Sequence, residues 1–215
     1  MMSQHPLRIL VIGAGVIGSV YAARLQAAGD TVTLLARGQH AADLRTTGLF
    51  LEDAYTGQST RSHIRIVERL APDDVYDLAL VCVRLDQVAA TVADLVVNQQ
   101  IPTVVFLLNN PTGTKPLVEE LGAQRIVLGF PGIGGTRERT RVRYVRIRQQ
   151  PTTLGEVDGR ITPRLRQLAI MLKRAGFPVA LSHNMDSWLK THACLRGTGA
   201  TGRRFAGGRA TCSRD

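Results

Sequence analysis

Two constellations in this chain have residue types and spacing that do chemistry. One is the glycine triplet Gly13-x-Gly15-x-x-Gly18; the other is Lys190, two residues after the only tryptophan, Trp188. In a triplet of that spacing the first glycine allows a tight turn and the second keeps a Cβ out of a ligand's path. The third lets helix and strand pack closely. The backbone N–H groups of Gly13, Ala14, Gly15, Val16, Ile17 and Gly18 then gather at a helix start. There the peptide dipoles sum to roughly half a positive charge, which suits a pyrophosphate. An ammonium on a helix, as at Lys190, is either a solvated cation or a general acid, and the residue type alone leaves both open.

The elements that must position these groups are legible around them. Leu7 to Ile12, "LRILVI", reads as a buried parallel strand. The helix after it places Val16, Val20, Ala23 and Ala27 on one face and stops at Gly29. "TVTLLAR" is the second strand, so the triplet sits inside a βαβ unit, the context it needs. Further strands are expected at "YDLALVCVR", "TVVFLLN" and "RIVLGFP". Helices follow at "DQVAATVADLVV", opened by Asp86, and "TKPLVEELG". Alternation of this kind predicts an α/β fold with a Rossmann-type doubly wound, mostly parallel sheet.

From Arg141 the pattern changes. "RVRYVRIR" alternates, but its parity slips at Tyr144–Val145, which predicts an antiparallel edge strand with a bulge. "TTLGEVDG" is the expected hairpin partner. Thr162 and Pro163 then open a helix with a Leu165, Leu168, Leu172 stripe, ended by Gly176. "FPVALS" is a last strand.

The second strand also carries a coenzyme signal. An acid that would hold ribose hydroxyls is missing at its end, and Arg37 stands there instead, with no carboxylate before Asp43. A guanidinium at that point suits a 2′-phosphate, so NADP is expected over NAD.

Composition narrows the class. The chain has 215 residues, 44% of them apolar, and a formal net charge of +10. Five of its arginines, opposed only by Asp215, lie beyond Cys194. Basic charge accompanies nucleic-acid binding, but no nucleic-acid motif is present and an anionic coenzyme also needs cations. The apolar run before Arg24 is too short and glycine-rich for a membrane span. Cys82, Cys194 and Cys212 form no CxxC, and no histidine pair has ligand spacing, so no metal site is expected. With no leader in "MMSQHPLR", a reducing cytoplasm is expected.

Taken in order, the motifs resemble the ketopantoate reductase (2-dehydropantoate 2-reductase) family. They are "ILVIGAGVIGSVYAARL", "VTLLARG", "LALVCVRLDQ", "LLNNPTG", "VLGFPGIGG", "TTLGEVDG" and "DSWLKTHA", and they run from about Leu7 to Cys194. The resemblance implies NADPH-dependent reduction of a 2-keto acid to a 2-hydroxy acid in pantothenate biosynthesis. It matches Lys190 to the family's catalytic lysine and Asn110 to the asparagine that holds nicotinamide ribose and substrate. Arg84 stands at a family lysine near the coenzyme, and Gly135 at a backbone contact beside the nicotinamide. Pro111 and Cys194 depart from the pattern, which puts ketopantoate itself in doubt as substrate; His192 is a further candidate proton donor.

The expected organisation is an NADP-binding domain over 1–182 and the start of a helical substrate domain over 183–195. A disordered tail over 196–215 completes it. That tail has five glycines and a single sizeable apolar residue, Phe205. A frameshift or premature end, or else a natural short variant with a basic tail, is the expected origin of the tail, with impaired turnover, an exposed apolar face and self-association expected; a homodimer is the other expected assembly. The alternative in another class is a non-catalytic NADP-binding module that senses redox state.

Overall fold

The structure is a computed structural model that describes residues 5–108, 113–147 and 150–190. The first half runs β1 (Arg8–Ile12), α1 (Val16–Ala27), β2 (Thr31–Leu35), α2 (Gly38–Thr47), β3 (Leu49–Asp53), β4 (Ser59–Ser62), β5 (Arg65–Val67), β6 (Leu78–Val81) and α3 (Val88–Val97). The second half runs β7 (Val104–Leu107), α4 (Lys115–Leu121), β8 (Ile126–Phe130), β9 (Ile133–Glu138), β10 (Arg141–Arg146), β11 (Thr152–Glu156), α5 (Pro163–Arg174) and β12 (Val179–Leu181). Residues 185–190 are helical.

The main sheet has the order β12-β11-β8-β7-β6-β1-β2-β5. Every neighbouring pair is parallel except β11 and β8. Alternation along β1 shows why helices cover both faces. Ile9 and Val11 join the apolar cluster of α1 and α5, whereas Leu10 and Ile12 join that of α3 and α4. All four are buried, so both faces of the strand must be covered, as expected of a doubly wound sheet.

A smaller sheet, β4-β3-β10-β9, packs on the outer side of α1. The helix is therefore held between two sheets. One apolar stripe does not suffice there: Gly18 to Ala23 are buried without interruption, and Ala27, expected on the inner face, is exposed. Small residues suit this position, and the one large side chain, Tyr21, stacks on Phe177 at 4.3 Å between ring centroids. Its hydroxyl meets Thr152 Oγ1 at 2.6 Å, and burial raises its pKa well above the ordinary range.

Three expectations about β10 are corrected. It pairs with β9 in continuous antiparallel register from Arg141–Glu138 to Arg146–Ile133, without a bulge. Its other neighbour is β3, in parallel, so β10 is an inner strand of its sheet. The parity does not slip: Val142 and Tyr144 are buried, and Arg146 follows them on that face, bonded to buried Asp53 at 3.2 Å. A half-exposed arginine paired with a buried carboxylate takes the third place on that face. "TTLGEVDG" is not its partner; β11 lies in the main sheet between β8 and β12.

The helix capped by Thr162 is as read. Its hydroxyl oxygen accepts the Leu165 N–H at 3.2 Å, with Pro163 in the first turn. The start of the expected 183–195 segment is helical. Residues 191–195 and the whole of 196–215 lie outside the described residues.

Candidate functional site

The glycine loop joins β1 to α1 at the carboxyl ends of the parallel strands. Chain order reverses there, because β2 and β6 flank β1 on opposite sides. Ligands of open α/β sheets bind at such switch points. Gly13 has φ +104, a conformation that favours glycine, and a Cβ there would reach the Cys82 carbonyl oxygen at 2.8 Å. A Cβ on Gly18 would overlap the Gly13 carbonyl oxygen. A Cβ on Gly15 would meet nothing within 4 Å. Two of the three glycines are therefore demanded by the protein's own packing, while the middle one faces open space that a Cβ would fill.

That space opens into a cleft of about 620 Å³. It is lined by Gly15, Val16 and Ile17, by Cys82 to Asp86, and by Leu107, Leu108, Phe130, Pro131 and Ile133. The lining is mostly apolar with backbone N–H groups at one end, a fit for a dinucleotide's rings and pyrophosphate. Burial pushes the Cys82 thiol pKa up, so it stays a neutral packing group against the loop.

His40, unremarked in the sequence, braces the loop from α2. Its Nε2 lies 3.0 Å from the Ala14 carbonyl oxygen, and the neutral tautomer protonated at Nε2 donates to it. Burial lowers the His40 pKa, and the Arg137 charge adds to this. The Ala14 hydrogen bond and Asp43 oppose it, and the lowering wins.

Each further candidate has a definite place. Arg37 is exposed at the N-cap of α2, beyond the end of β2. Its Nη2 is 3.1 Å from Asp94 Oδ2, and its Nε donates to the Glu68 carbonyl oxygen at 3.4 Å. Arg84 stands at the cleft edge with Nε 3.0 Å from Asp86 Oδ1. Gly135 lies in β9, where a Cβ would overlap the Arg143 carbonyl oxygen and reach Val16 at 3.1 Å, so it joins β10 to the start of α1. Asn110, Pro111, His192 and Cys194 lie outside the described residues.

Lys190 is exposed near the cleft, not in its lining. Its Nζ is 2.6 Å from Asp186 Oδ2, one helical turn earlier. Two contacts fix this turn. Trp188 packs edge-on against Phe130, a cleft residue, at 5.1 Å. Asp186 also accepts hydrogen bonds from the backbone and side chain of Thr114, at the N-cap of α4. Bonds from Lys190 and Thr114 outweigh burial and hold its carboxyl below the usual range. The lysine helix is thus pinned to the start of α4 and to the cleft residue Phe130. The i, i+4 spacing of Asp186 and Lys190 was a signal available in the sequence.

Among the described residues, no group of His, Cys, Asp or Glu has a metal-holding arrangement. None of their helices is long and apolar enough to cross a membrane.

The profile of a family described as ketopantoate reductase PanE/ApbA matches residues 9–159. No curated protein matches the chain. Among solved structures, it is similar to a D-mandelate dehydrogenase determined with NADH and anilino(oxo)acetate. There the TM-score is 0.75 at 20% identity, over 89% of this chain and 62% of that one. It is also similar to a 2-dehydropantoate 2-reductase from Methylococcus capsulatus (TM-score 0.74, 22% identity, 90% and 62%). A third is the 2-dehydropantoate 2-reductase from Geobacter metallireducens GS-15 (0.70, 24%, 82% and 58%). The chain spans about three fifths of the length of these structures. At such identities the likeness shows the fold.

Proposed function

The chain belongs to the ketopantoate reductase PanE/ApbA family, and from that premise we propose that it binds NADPH and reduces a 2-keto acid, resembling 2-dehydropantoate, to the 2-hydroxy acid. The observation that carries this reading is the open space at Gly15, at the head of an apolar cleft on the switch point. Gly13 to Gly18 hold the pyrophosphate by backbone N–H groups and the dipole of α1. Arg37 binds the 2′-phosphate and Arg84 adds positive charge at the cleft edge. Phe130, Leu107, Leu108 and Ile133 exclude water from the nicotinamide end.

When bound, the nicotinamide would supply a hydride for the substrate's carbonyl carbon. Lys190 supports the developing charge on the carbonyl oxygen and gives it a proton, becoming a neutral amine that water recharges. Asn110, which the resemblance matches to the family's substrate-holding asparagine, orients the substrate. Asp186 holds the ammonium beside Gly113. Family membership supports placing this chemistry in pantothenate biosynthesis, in the cytoplasm, with a small keto acid as partner.

Calorimetric titration with NADPH, followed by turnover on a panel of 2-keto acids, tests the reading. Lys190→Ala is expected to keep NADPH binding and to lower turnover about a hundred- to a thousandfold. Undiminished turnover would remove the lysine from the chemistry. NADPH binding with no turnover on any keto acid would favour the non-catalytic module.

A further inference from the structure

The donors that would take a 2′-phosphate are already facing carboxylates. Arg37 Nη2 lies 3.1 Å from Asp94 Oδ2, on α3. The Gly38 N–H, first in α2, donates to Glu68 Oε2 at 3.2 Å. Glu68 is also bound by Arg45 Nη1 at 2.7 Å. Hydrogen bonds from Arg45 and Gly38 hold its carboxyl below the usual range, so it is an anion at neutral pH. Glu68 follows β5 and Asp94 lies on α3, so the topology brings both to the end of β2 from distant sequence.

These acids have opposite consequences for the two coenzymes. A 2′-phosphate brings up to two negative charges to a guanidinium that already faces Asp94, beside a helix start that already faces Glu68. A ribose 2′-hydroxyl brings no charge and can donate to a carboxylate. We infer that Asp94 and Glu68 are specificity-determining residues that oppose the 2′-phosphate at Arg37, so that the site discriminates weakly between NADPH and NADH. This rests on the dinucleotide reading above and deepens it. Both acids are half-exposed, so the effect is modest and sensitive to salt.

Titration of the full chain with NADPH and NADH at low ionic strength tests this, on wild type, Asp94→Asn, Glu68→Gln and the double variant. Asp94→Asn should tighten NADPH about fivefold, the scale of one exposed charge pair. NADH affinity should fall by no more than about twofold, since its ribose adds no charge there and the asparagine amide oxygen still accepts from the 2′-hydroxyl. Glu68→Gln should act in the same direction, and high salt should shrink both effects. Weaker NADPH binding by Asp94→Asn would mean that the acid pre-orients Arg37, and would overturn the inference. So would an unchanged NADPH to NADH ratio, or an equal shift for both coenzymes. If wild type binds neither coenzyme, the dinucleotide reading itself falls and takes this inference with it. Melting curves report folding, which loss of an exposed pair should barely change.

Discussion

The glycines of the loop divide by what surrounds them, and that division is testable one methyl group at a time. Gly15→Ala adds a Cβ to open space at an ordinary φ of −79, so folding should be nearly unaffected while dinucleotide affinity falls at least tenfold. Gly18→Ala drives a Cβ into the Gly13 carbonyl and should cost about 1–3 kcal/mol in stability. Thermal melts beside coenzyme titrations separate the two, and equal losses of stability would contradict the assignment. His40 adds a pH-dependent element. The fold keeps it neutral to a lower pH than the unfolded chain, whose ordinary value is 6.5. The unfolded state therefore binds more protons, and stability should fall as pH drops below 6.5, until the folded pKa is passed. In His40→Gln that part of the slope should vanish in denaturant titrations at stepped pH. At this scale the glycine loop was legible because its chemistry is local. Asp94, Glu68 and His40 were not: nothing in their neighbourhood marks them, and only folding brings them to the loop and the end of β2.

Among the elements, the βαβ alternation was readable because each strand is a short apolar run buried on both faces. The small sheet was not. Its β3 and β10 strands lie about ninety residues apart and pair in parallel. Their polar positions also mislead, since Asp53 and Arg146 satisfy one another on the inner face. The local reading of "RVRYVRIR" as a bulged edge strand failed for that reason, and β11 was given to the wrong sheet. β11 is instead tied to α5 by a polar cluster. Arg164 meets Glu156 at 2.5 Å and donates to the Ile126 carbonyl at 3.2 Å, and Thr162 donates to Glu156 at 2.5 Å. Burial raises the Glu156 pKa, but the Arg164 and Thr162 bonds and the Arg164 charge outweigh it, so the value lies below the ordinary 4.5. Its stabilising effect is present above pH 4.5 and should be lost as pH falls through the lowered value. Glu156→Gln should destabilise the protein by about 2 kcal/mol at neutral pH and flatten the acid limb of its stability profile. An unchanged acid limb would show that the cluster does not couple α5 to the sheet.

At the scale of the whole molecule, one helix links the parts. α1 begins at the glycine loop, fills the space between two sheets, and ends where Arg24 bonds the Ala175 carbonyl after α5 at 2.9 Å. The loop at its start is braced by His40 from α2 and packed against Cys82, which favours a preorganised anion site. The net charge of +10 adds a long-range attraction for a polyanionic coenzyme, so affinity should weaken as ionic strength rises. The measurement that bears most directly on the account is a calorimetric titration of wild type and Gly15→Val with NADPH. The account predicts one site per chain in wild type, and its loss in a Gly15→Val protein that melts like wild type. Absence of binding to wild type, or binding undiminished by the valine, would contradict it.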